Sequence, residues 1–443
     1  MNSRQSIPTT LAPKKECFAW AMYDFANSGY TTVILTAVFN SYFVGVIAAS
    51  NYNNGDATLL WTVAIAIANL LVLLTAPVIG AIADYSANKK KFLAFTTVSC
   101  VIFTALLATT GPGDVSLAMT LIVLSSLMFF SGENLIAAFL PEISPPEHMG
   151  RLSAYGWTLG YLGGLLVLGL CLAYVQWAQN QGHEAQEFVP VTALIVSAAF
   201  ALASLPTFIW LRERAQALPQ HSLQLSDYIR EGYSRLHDTW QHARRYQDLF
   251  RFLIALMIYH CGINTVVVLA AVYAQEAMGF ETQDTIMLIL VVNITAAVGA
   301  FLFGQIQDRI GSKRTLIFTL ILWIVATILA YFSHDRIFFW LVANLVGLAL
   351  GASQSAGRAM VGLFSPPGRS GEFFGLWGVA TKLAAVIGPL VYGTLTSITG
   401  GDHRTALLST TAFFILGLLV LLLVNEQRGR EAAHGFTSQN LAA

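Results

Sequence analysis

The chain has 443 residues, of which 56% are hydrophobic and only 11% are charged, and its formal net charge is zero. This composition excludes an ordinary soluble domain and predicts an integral membrane protein surrounded by a lipid bilayer. The balanced charge offers no basic surface for a nucleic acid, so we expect no such partner.

Twelve apolar runs are long enough to cross the hydrocarbon core of a bilayer. In chain order they lie at 17–48, 58–83, 91–110, 115–140, 152–176, 190–211, 249–275, 284–306, 314–332, 337–361, 371–398 and 404–424. We therefore predict a first six-helix bundle at 1–211, a central loop at 212–248, and a second bundle with a tail at 249–443.

The central loop has an amphipathic pattern of its own. Apolar residues recur there at three- or four-residue steps: Leu225, Ile229, Tyr233, Leu236 and Trp240. This spacing is typical of a helix lying on the membrane surface, although a plain connector between the halves is the simpler interpretation.

Lysine and arginine concentrate in the loops on one side of the predicted membrane, and the opposite loops hold only Arg336 and Arg404. Basic loops stay on the cytoplasmic side of a membrane. We therefore expect both termini and the central loop to be cytoplasmic, with the bacterial cytoplasmic (inner) membrane as the location.

A short motif occurs once in each half of the chain. Each copy ends an apolar run with Gly-x-x-x-Asp and is followed by basic residues, and the predicted gating set is Gly80, Asp84, Lys89, Lys90, Gly304, Asp308, Arg309, Lys313 and Arg314. The glycine permits close helix approach, and the aspartate can pair with a loop cation or cap a neighbouring helix. The alternative is an ordinary stop-transfer cluster of charges.

A second pattern also repeats, because Ser144-Pro145-Pro146 with Gly150 matches Ser365-Pro366-Pro367 with Gly371. Two homologous halves in a membrane typically place the working site at their interface, near the bilayer midplane. The predicted fold class is thus an all-α integral membrane protein, with twelve transmembrane helices in two pseudo-symmetric six-helix bundles.

Four charged residues lie inside apolar runs, where each costs roughly 2.5–3.5 kcal/mol on insertion scales. Asp24 and Glu133 belong to the first half, and Arg358 and Lys382 belong to the second. We expect the acids to sense a proton or a substrate charge, and the bases to bind an anionic group or the acids themselves. The alternative is a set of structural ion pairs between the halves.

His260 aligns with Asp24 when the Tyr23-Asp24 and Tyr259-His260 pairs are matched, and a histidine titrates near neutral pH. A hydrogen-bonded packing residue is the simpler interpretation of this histidine. Further candidates for lining a cavity, each of which can instead serve helix packing, are Asn27, Asn134, Asn264, Gln354, Trp157, Tyr161 and Trp377.

The repeated motif resembles the loop signature of the major facilitator superfamily, which implies the major facilitator fold. The second copy keeps Asp308-Arg309-Ile310-Gly311, whereas the first reads Asp84-Tyr85-Ser86-Ala87. We call the contacts of the two copies the first and the second latch, and this departure predicts that the first latch is the weaker one.

A narrower resemblance covers most of the chain. The segments Trp20 to Ser28, Glu133-Asn134, Leu140-Pro141-Glu142, Gly160 to Gly164, Gln354 to Arg358, Gly371 to Gly375 and Gly388-Pro389 resemble the vacuole-effluxer-like branch of that superfamily. That branch is known for exporting amino acids from the yeast vacuole, which implies an amino-acid-like solute and export. Tyr259-His260-Cys261-Gly262 lacks the acid that the branch usually shows there, so no coupling role carries over to it.

We find no phosphate-binding loop, no nucleophile motif and no metal-ligand spacing, so we predict no enzyme, no cofactor and no metal site. The predicted function is secondary transport of a small polar solute by alternating access, coupled to protons, in a monomer. Alternatives are a major facilitator transporter of a sugar, muropeptide, siderophore or drug, and a non-transporting membrane scaffold or sensor on the same fold.

Overall fold

A computed structural model of the chain describes residues 8–214, Ser234 and 246–439, and these residues form helices and turns without a strand. Apart from Ser234, the amphipathic segment predicted in the central loop lies outside the described residues. Its helical character and the division at 1–211, 212–248 and 249–443 therefore stay predictions.

Among the described residues, twelve helical segments are long and apolar enough to span a membrane, which confirms the predicted number of spans. The α-helices are α1 (Lys14–Gly29), α2 (Phe39–Tyr42), α3 (Asn54–Ser86), α4 (Lys89–Leu106), α5 (Val115–Ala137), α6 (Leu140–Ile143), α7 (Met149–Asn180), α8 (Ala185–Trp210), α9 (Gln247–Glu276), α10 (Thr282–Ile310), α11 (Ser312–Phe332), α12 (Arg336–Phe364), α13 (Ser370–Ile398), α14 (His403–Leu422) and α15 (Glu426–Gln439).

The first span runs from Lys14 to Ile47 and is not uniform. After α1 it winds as a π-helix over Tyr30–Ala37, and again over Phe43–Ile47 beyond α2. The carbonyl oxygen of Ser28 accepts hydrogen bonds from the hydroxyls of Thr31 and Thr32 at 2.9 and 2.7 Å, just where the winding changes. Short π-helical stretches are rare and are frequent at functional sites.

Helices α1 to α8 contact one another, as do α9 to α14, and helices of the two groups also pack against each other. The main pairs between the groups are α3 with α13, α7 with α10, α7 with α12, and α5 with α13, and α6 also contacts α12. The first two pairs approach closely at the end of the bundle where α1 begins and α14 ends, which we call the latch end. The two halves are therefore packed together at the latch end.

Candidate functional site

Helices α3 and α13 touch backbone to backbone at the latch end. A Cβ atom on Gly80 would lie 2.0 Å from the carbonyl oxygen of Gly371, so no larger residue fits at position 80 without moving a helix. One turn later, the Asp84 carboxylate accepts a hydrogen bond of 3.0 Å from the backbone N–H of Glu372, in the first turn of α13. A carboxylate at a helix N-terminus is favoured by the helix dipole and the free N–H groups.

Lys89 carries the buried positive charge of this first latch. Its Nζ lies 3.0 Å from Asp84, is ion-paired with Glu142, and donates a hydrogen bond of 2.9 Å to the Ser370 hydroxyl. The Lys89 side chain is fully buried. Since removing one partner of a buried ion pair leaves an uncompensated charge, these residues hold one another in place.

The second copy docks the other pair of helices in the same way. A Cβ atom on Gly304 of α10 would lie 2.1 Å from the Cβ of Ala154 on α7. The Asp308 carboxylate accepts a hydrogen bond of 3.1 Å from the backbone N–H of Arg151, in the first turn of α7. The Arg151 Nε atom lies 3.9 Å from the same carboxylate.

The two repeated patterns therefore contact each other across the halves. Gly80 and Asp84 meet the segment around Gly371, and Gly304 and Asp308 meet the segment around Gly150. The sequence shows both repeats, but it does not show that each copy of one docks on the opposite copy of the other.

The two latches differ in charge. Arg309 and Arg314 are exposed and Lys313 is partly exposed, so none of these three cations matches the buried Lys89. The first copy also lacks a glycine that the second copy has. Ala87 adopts the left-handed conformation (φ 48°) at the position where the second copy has Gly311 (φ 91°). The copy expected to be weaker thus holds the more deeply buried charge network, at the cost of local backbone strain.

The remaining gating lysines, Lys90 and Lys313, each lie at a helix N-terminus that a glutamate caps, a contact that the sequence does not predict. Glu213 accepts hydrogen bonds from the backbone N–H groups of Lys89 and Lys90, at 2.6 and 3.2 Å, and so caps α4. Lys90 Nζ donates a hydrogen bond of 2.6 Å to the carbonyl of Leu211. Burial raises the pKa of the Glu213 carboxyl, although both backbone hydrogen bonds oppose that rise.

The second half repeats this cap. Glu426 accepts hydrogen bonds from the backbone N–H groups of Ser312 and Lys313, at 3.3 and 2.8 Å, and Lys313 Nζ donates to the carbonyl of Leu422 at 2.9 Å. In each half, the residues that follow the last span therefore cap the third span of the same half.

An arginine next to each cap is anchored on the first span of its half. Arg214 donates two hydrogen bonds to Glu16, at 2.6 and 2.8 Å. Arg428 likewise donates two to Asp248, one of them at 2.8 Å. We call Glu16 with 211–214 the first clasp, and Asp248 with 422–428 the second clasp.

Arg358, near the latch-end terminus of α12, is held by the first half on several sides. Its Nη1 lies 2.7 Å from the Asp24 carboxylate, and its Nε and Nη2 donate to the hydroxyl and carbonyl of Ser153 at 3.1 and 2.7 Å. The guanidinium also lies over the rings of Trp20 and Trp157, at 4.7 and 5.4 Å from their centroids. The contacts of Arg358 with Asp24 and Ser153 therefore join α1, α7 and α12.

The other two intramembrane charges have a different environment. Glu133 of α5 and Lys382 of α13 are both partly exposed and interact electrostatically, yet no ion pair joins them among the contacts of the described residues. Lys382 Nζ lies 3.2 Å from the ring centroid of Phe130, one turn before Glu133. Partial exposure of charged groups in mid-span is typical of a cavity between the halves.

The remaining predicted residues lie around these charges with different degrees of contact. His260 is buried beside the Tyr259 ring, within electrostatic reach of Lys382. Asn134 is buried against Gly378, where its amide nitrogen has no hydrogen-bond partner within the described part of the chain. Asn27 and Trp377 are buried, whereas Asn264, Gln354, Trp157 and Tyr161 are partly exposed.

Trp157 and Tyr161 form an aromatic pair on α7, with ring centroids 5.9 Å apart. The Trp157 Nε1 donor has no hydrogen-bond partner among the described residues.

A cavity of about 480 Å³ lies at the latch end, and residues 8–13, Glu142 and Arg214 are among those that line it. None of its lining residues is one of the four intramembrane charges.

Residues 12–434 match the family model described as vacuole effluxer Atg22 like. The chain belongs to this family. It is 29% identical over 423 residues to the MFS-type transporter YxiO of Bacillus subtilis, a match that covers 94% of this chain and 96% of YxiO. It is also 27% identical over 318 residues to autophagy-related protein 22 of Saccharomyces cerevisiae, covering 64% of this chain and 58% of the yeast protein.

Solved structures confirm the fold class. The human organic anion transporter MFSD10 aligns with a TM-score of 0.70 at 16% identity, covering 92% of this chain and 99% of that one. The proton:xylose symporter XylE aligns with a TM-score of 0.72 at 14% identity, covering 95% and 98%. This Atg22-like protein is thus a multi-pass membrane transporter with the major facilitator fold.

Proposed function

We propose that this protein is a secondary transporter that exports a small, polar, amino-acid-like solute by alternating access, coupled to protons. The observation that carries the proposal is the partly exposed pair of opposite charges, Glu133 and Lys382, at mid-span. The two residues come from different halves, and no direct ion pair joins them among the described contacts. A solute with both signs of charge compensates both residues at once.

The packing of the latch end supports alternating access. Both latches join the halves there, through Asp84 on α13 and Asp308 on α7. When the halves rock, these contacts open and a path from the latch end to the mid-span charges forms. The concentration of basic residues at this end supports a cytoplasmic orientation of the latch end, in a bacterial cytoplasmic membrane.

The two intramembrane acids support proton coupling. Asp24 lies beside Arg358, and Glu133 lies within the field of Lys382, so each acid's affinity for a proton depends on the position of a cation on the opposite half. Rocking of the halves changes that position. We assign the coupling proton to one of these two acids.

The test uses the purified protein in liposomes loaded with a mixture of radiolabelled amino acids. We expect a pH gradient to drive flux of at least one amino acid, and protein-free liposomes to show none. If no amino acid moves, parallel liposomes loaded with a sugar, a muropeptide or a siderophore are tested, and flux of one of these would replace the solute class. Absence of any flux, with the protein correctly folded and inserted, would favour a scaffold or sensor.

A further inference from the structure

The two halves contain equivalent positions around a buried tyrosine. A Cβ atom on Gly132 would lie 2.7 Å from the Tyr23 hydroxyl, and a Cβ atom on Gly357 would lie 2.9 Å from the Tyr259 hydroxyl. Each glycine therefore packs against the hydroxyl end of the tyrosine in the first span of its half. The next residue in the chain is Glu133 in one half and Arg358 in the other.

The residues after the tyrosines are also equivalent, and they are Asp24 and His260. Glu133 thus stands where its mirror position has Arg358, and His260 stands where its mirror position has Asp24. We call the surroundings of Arg358 and of Glu133 two half-sites: the sign of the charge is opposite between Glu133 and Arg358, and an imidazole stands in place of the Asp24 carboxylate. Aligning Gly150 with Gly371 places Lys382 opposite Tyr161.

The half-site around Arg358 is fully occupied by protein groups. The guanidinium has the Asp24 carboxylate and two Ser153 oxygens as hydrogen-bond partners, and Trp20 and Trp157 cover its faces. Adding a methyl group at Gly156 would place it 2.3 Å from Asp24 and 2.5 Å from Arg358. This half-site has no room for a ligand.

The mirror half-site is built differently. In the alignment of the repeats, Leu256 replaces Trp20 and Gly378 replaces Trp157, and the Asn134 side chain packs on Gly378. Glu133 is shorter than Arg358, and among the described contacts it reaches neither His260 nor Lys382. Lys382 rests on the Phe130 ring, a contact that holds a cation without neutralising its charge.

We propose that Glu133, His260 and Lys382 form the solute-binding half-site, and that it takes a zwitterion with an ammonium and a carboxylate group. Glu133 accepts hydrogen bonds from the ammonium group, at the position equivalent to the Arg358 guanidinium. Lys382 leaves the Phe130 ring to bind the carboxylate, and His260 borders the site. The inference rests on the proposed function and adds which group of the solute each residue binds, and that His260 borders the site.

The test measures binding in detergent by calorimetry, without transport. The twenty proteinogenic amino acids are screened first, and each binder is compared with its methyl ester, which lacks the carboxylate charge, and its N-acetyl derivative, which lacks the ammonium. Loss of each charge-assisted contact should raise the dissociation constant about tenfold to a hundredfold. Equal binding of the amino acid and both derivatives to the wild-type protein would overturn the inference without any variant.

Variants then locate the site. Glu133→Gln should lose the discrimination against the N-acetyl derivative, and Lys382→Gln the discrimination against the ester, whereas Glu276→Gln, on an exposed carboxyl of α9, should bind as the wild type does. Size-exclusion profile and melting temperature check folding. Wild-type discrimination in both Glu133→Gln and Lys382→Gln would overturn the inference and leave the proposed function standing. If no amino acid binds, the amino-acid-like solute is wrong both in the proposed function and in this inference.

Discussion

Substituting Gly80 tests whether the backbone contact between α3 and α13 keeps the latch end closed. In Gly80→Ala the new methyl group would lie 2.0 Å from the Gly371 carbonyl oxygen and 2.4 Å from its carbon. Both atoms are backbone, so neither can rotate away, and the helices must separate. Overpacking of this kind costs about 1–3 kcal/mol, which corresponds to a shift of about 5- to 150-fold toward the state in which this contact is broken.

Ser131 supplies the reporter for that shift. Its buried side chain lines a small cavity of about 10 Å³ together with Gly80, Asn134 and Gly371. In a background without the four native cysteines, Ser131→Cys should react slowly with a maleimide. Adding Gly80→Ala should raise the labelling rate from the latch end by a factor in the same range.

Gly393→Ala on α13 is the matched control, because among the described residues no atom beyond its chain neighbours and its own helix backbone lies within 4 Å of the position that its Cβ would take. An alanine stabilises a helix interior by about 0.8–1.0 kcal/mol relative to glycine, so this variant should melt no earlier than the wild type. If Ser131→Cys reacts at the same rate with Gly80→Ala and with Gly393→Ala, and both variants are folded, the contact does not control the latch.

Three further predictions concern charge and strain, and one concerns topology. Asp308→Asn should remove a charge-assisted contact worth about 1.5–3 kcal/mol and raise labelling from the latch end at least tenfold, so unchanged labelling and transport would contradict the second latch. Ala87→Gly should raise the free energy of unfolding by up to about 1 kcal/mol, because relief of a left-handed alanine, about 1–2 kcal/mol, exceeds the added entropy of the unfolded chain; an earlier melting transition would reject the strain. Asp24→Asn should abolish gradient-driven uptake if Asp24 carries the coupling proton, and should cost about 3–5 kcal/mol of stability if it serves the ion pair alone; both are measured on one variant, and normal uptake rules out coupling. Asn53→Cys should react with an impermeant thiol reagent applied to intact cells while Ser234→Cys should not, and the reverse pattern would invert the predicted orientation.

Membrane spans and the internal repeat were predictable because both are written in local patterns. A run such as 58–83 has to be helical, since a bilayer core satisfies no backbone hydrogen bond. The Gly80 and Gly304 motifs also identify the helix ends that meet. Asp84 and Asp308 were expected to bind a loop cation or a helix N-terminus, and each carboxylate contacts both a basic side chain and the first turn of a helix.

Contacts that depend on chain folding over long distances were not predictable. The Glu213 and Glu426 caps look like ordinary charges after a span, because only the fold brings α4 and α11 to them. The same holds for Glu142, which the sequence gives no reason to place beside Lys89. The four intramembrane charges were identified from their position in apolar runs, but burial and charge alone do not tell which acid meets which base.

The two clasps have a consequence for how the chain may be divided. The described contacts of the first clasp end at Arg214, and those of the second begin at Asp248. Within the described residues, each half thus closes on itself, and covalent linkage raises the effective concentration of one half near the other. Two separately translated polypeptides, 1–220 and 241–443, should therefore insert independently, co-purify as a complex and re-form both latches.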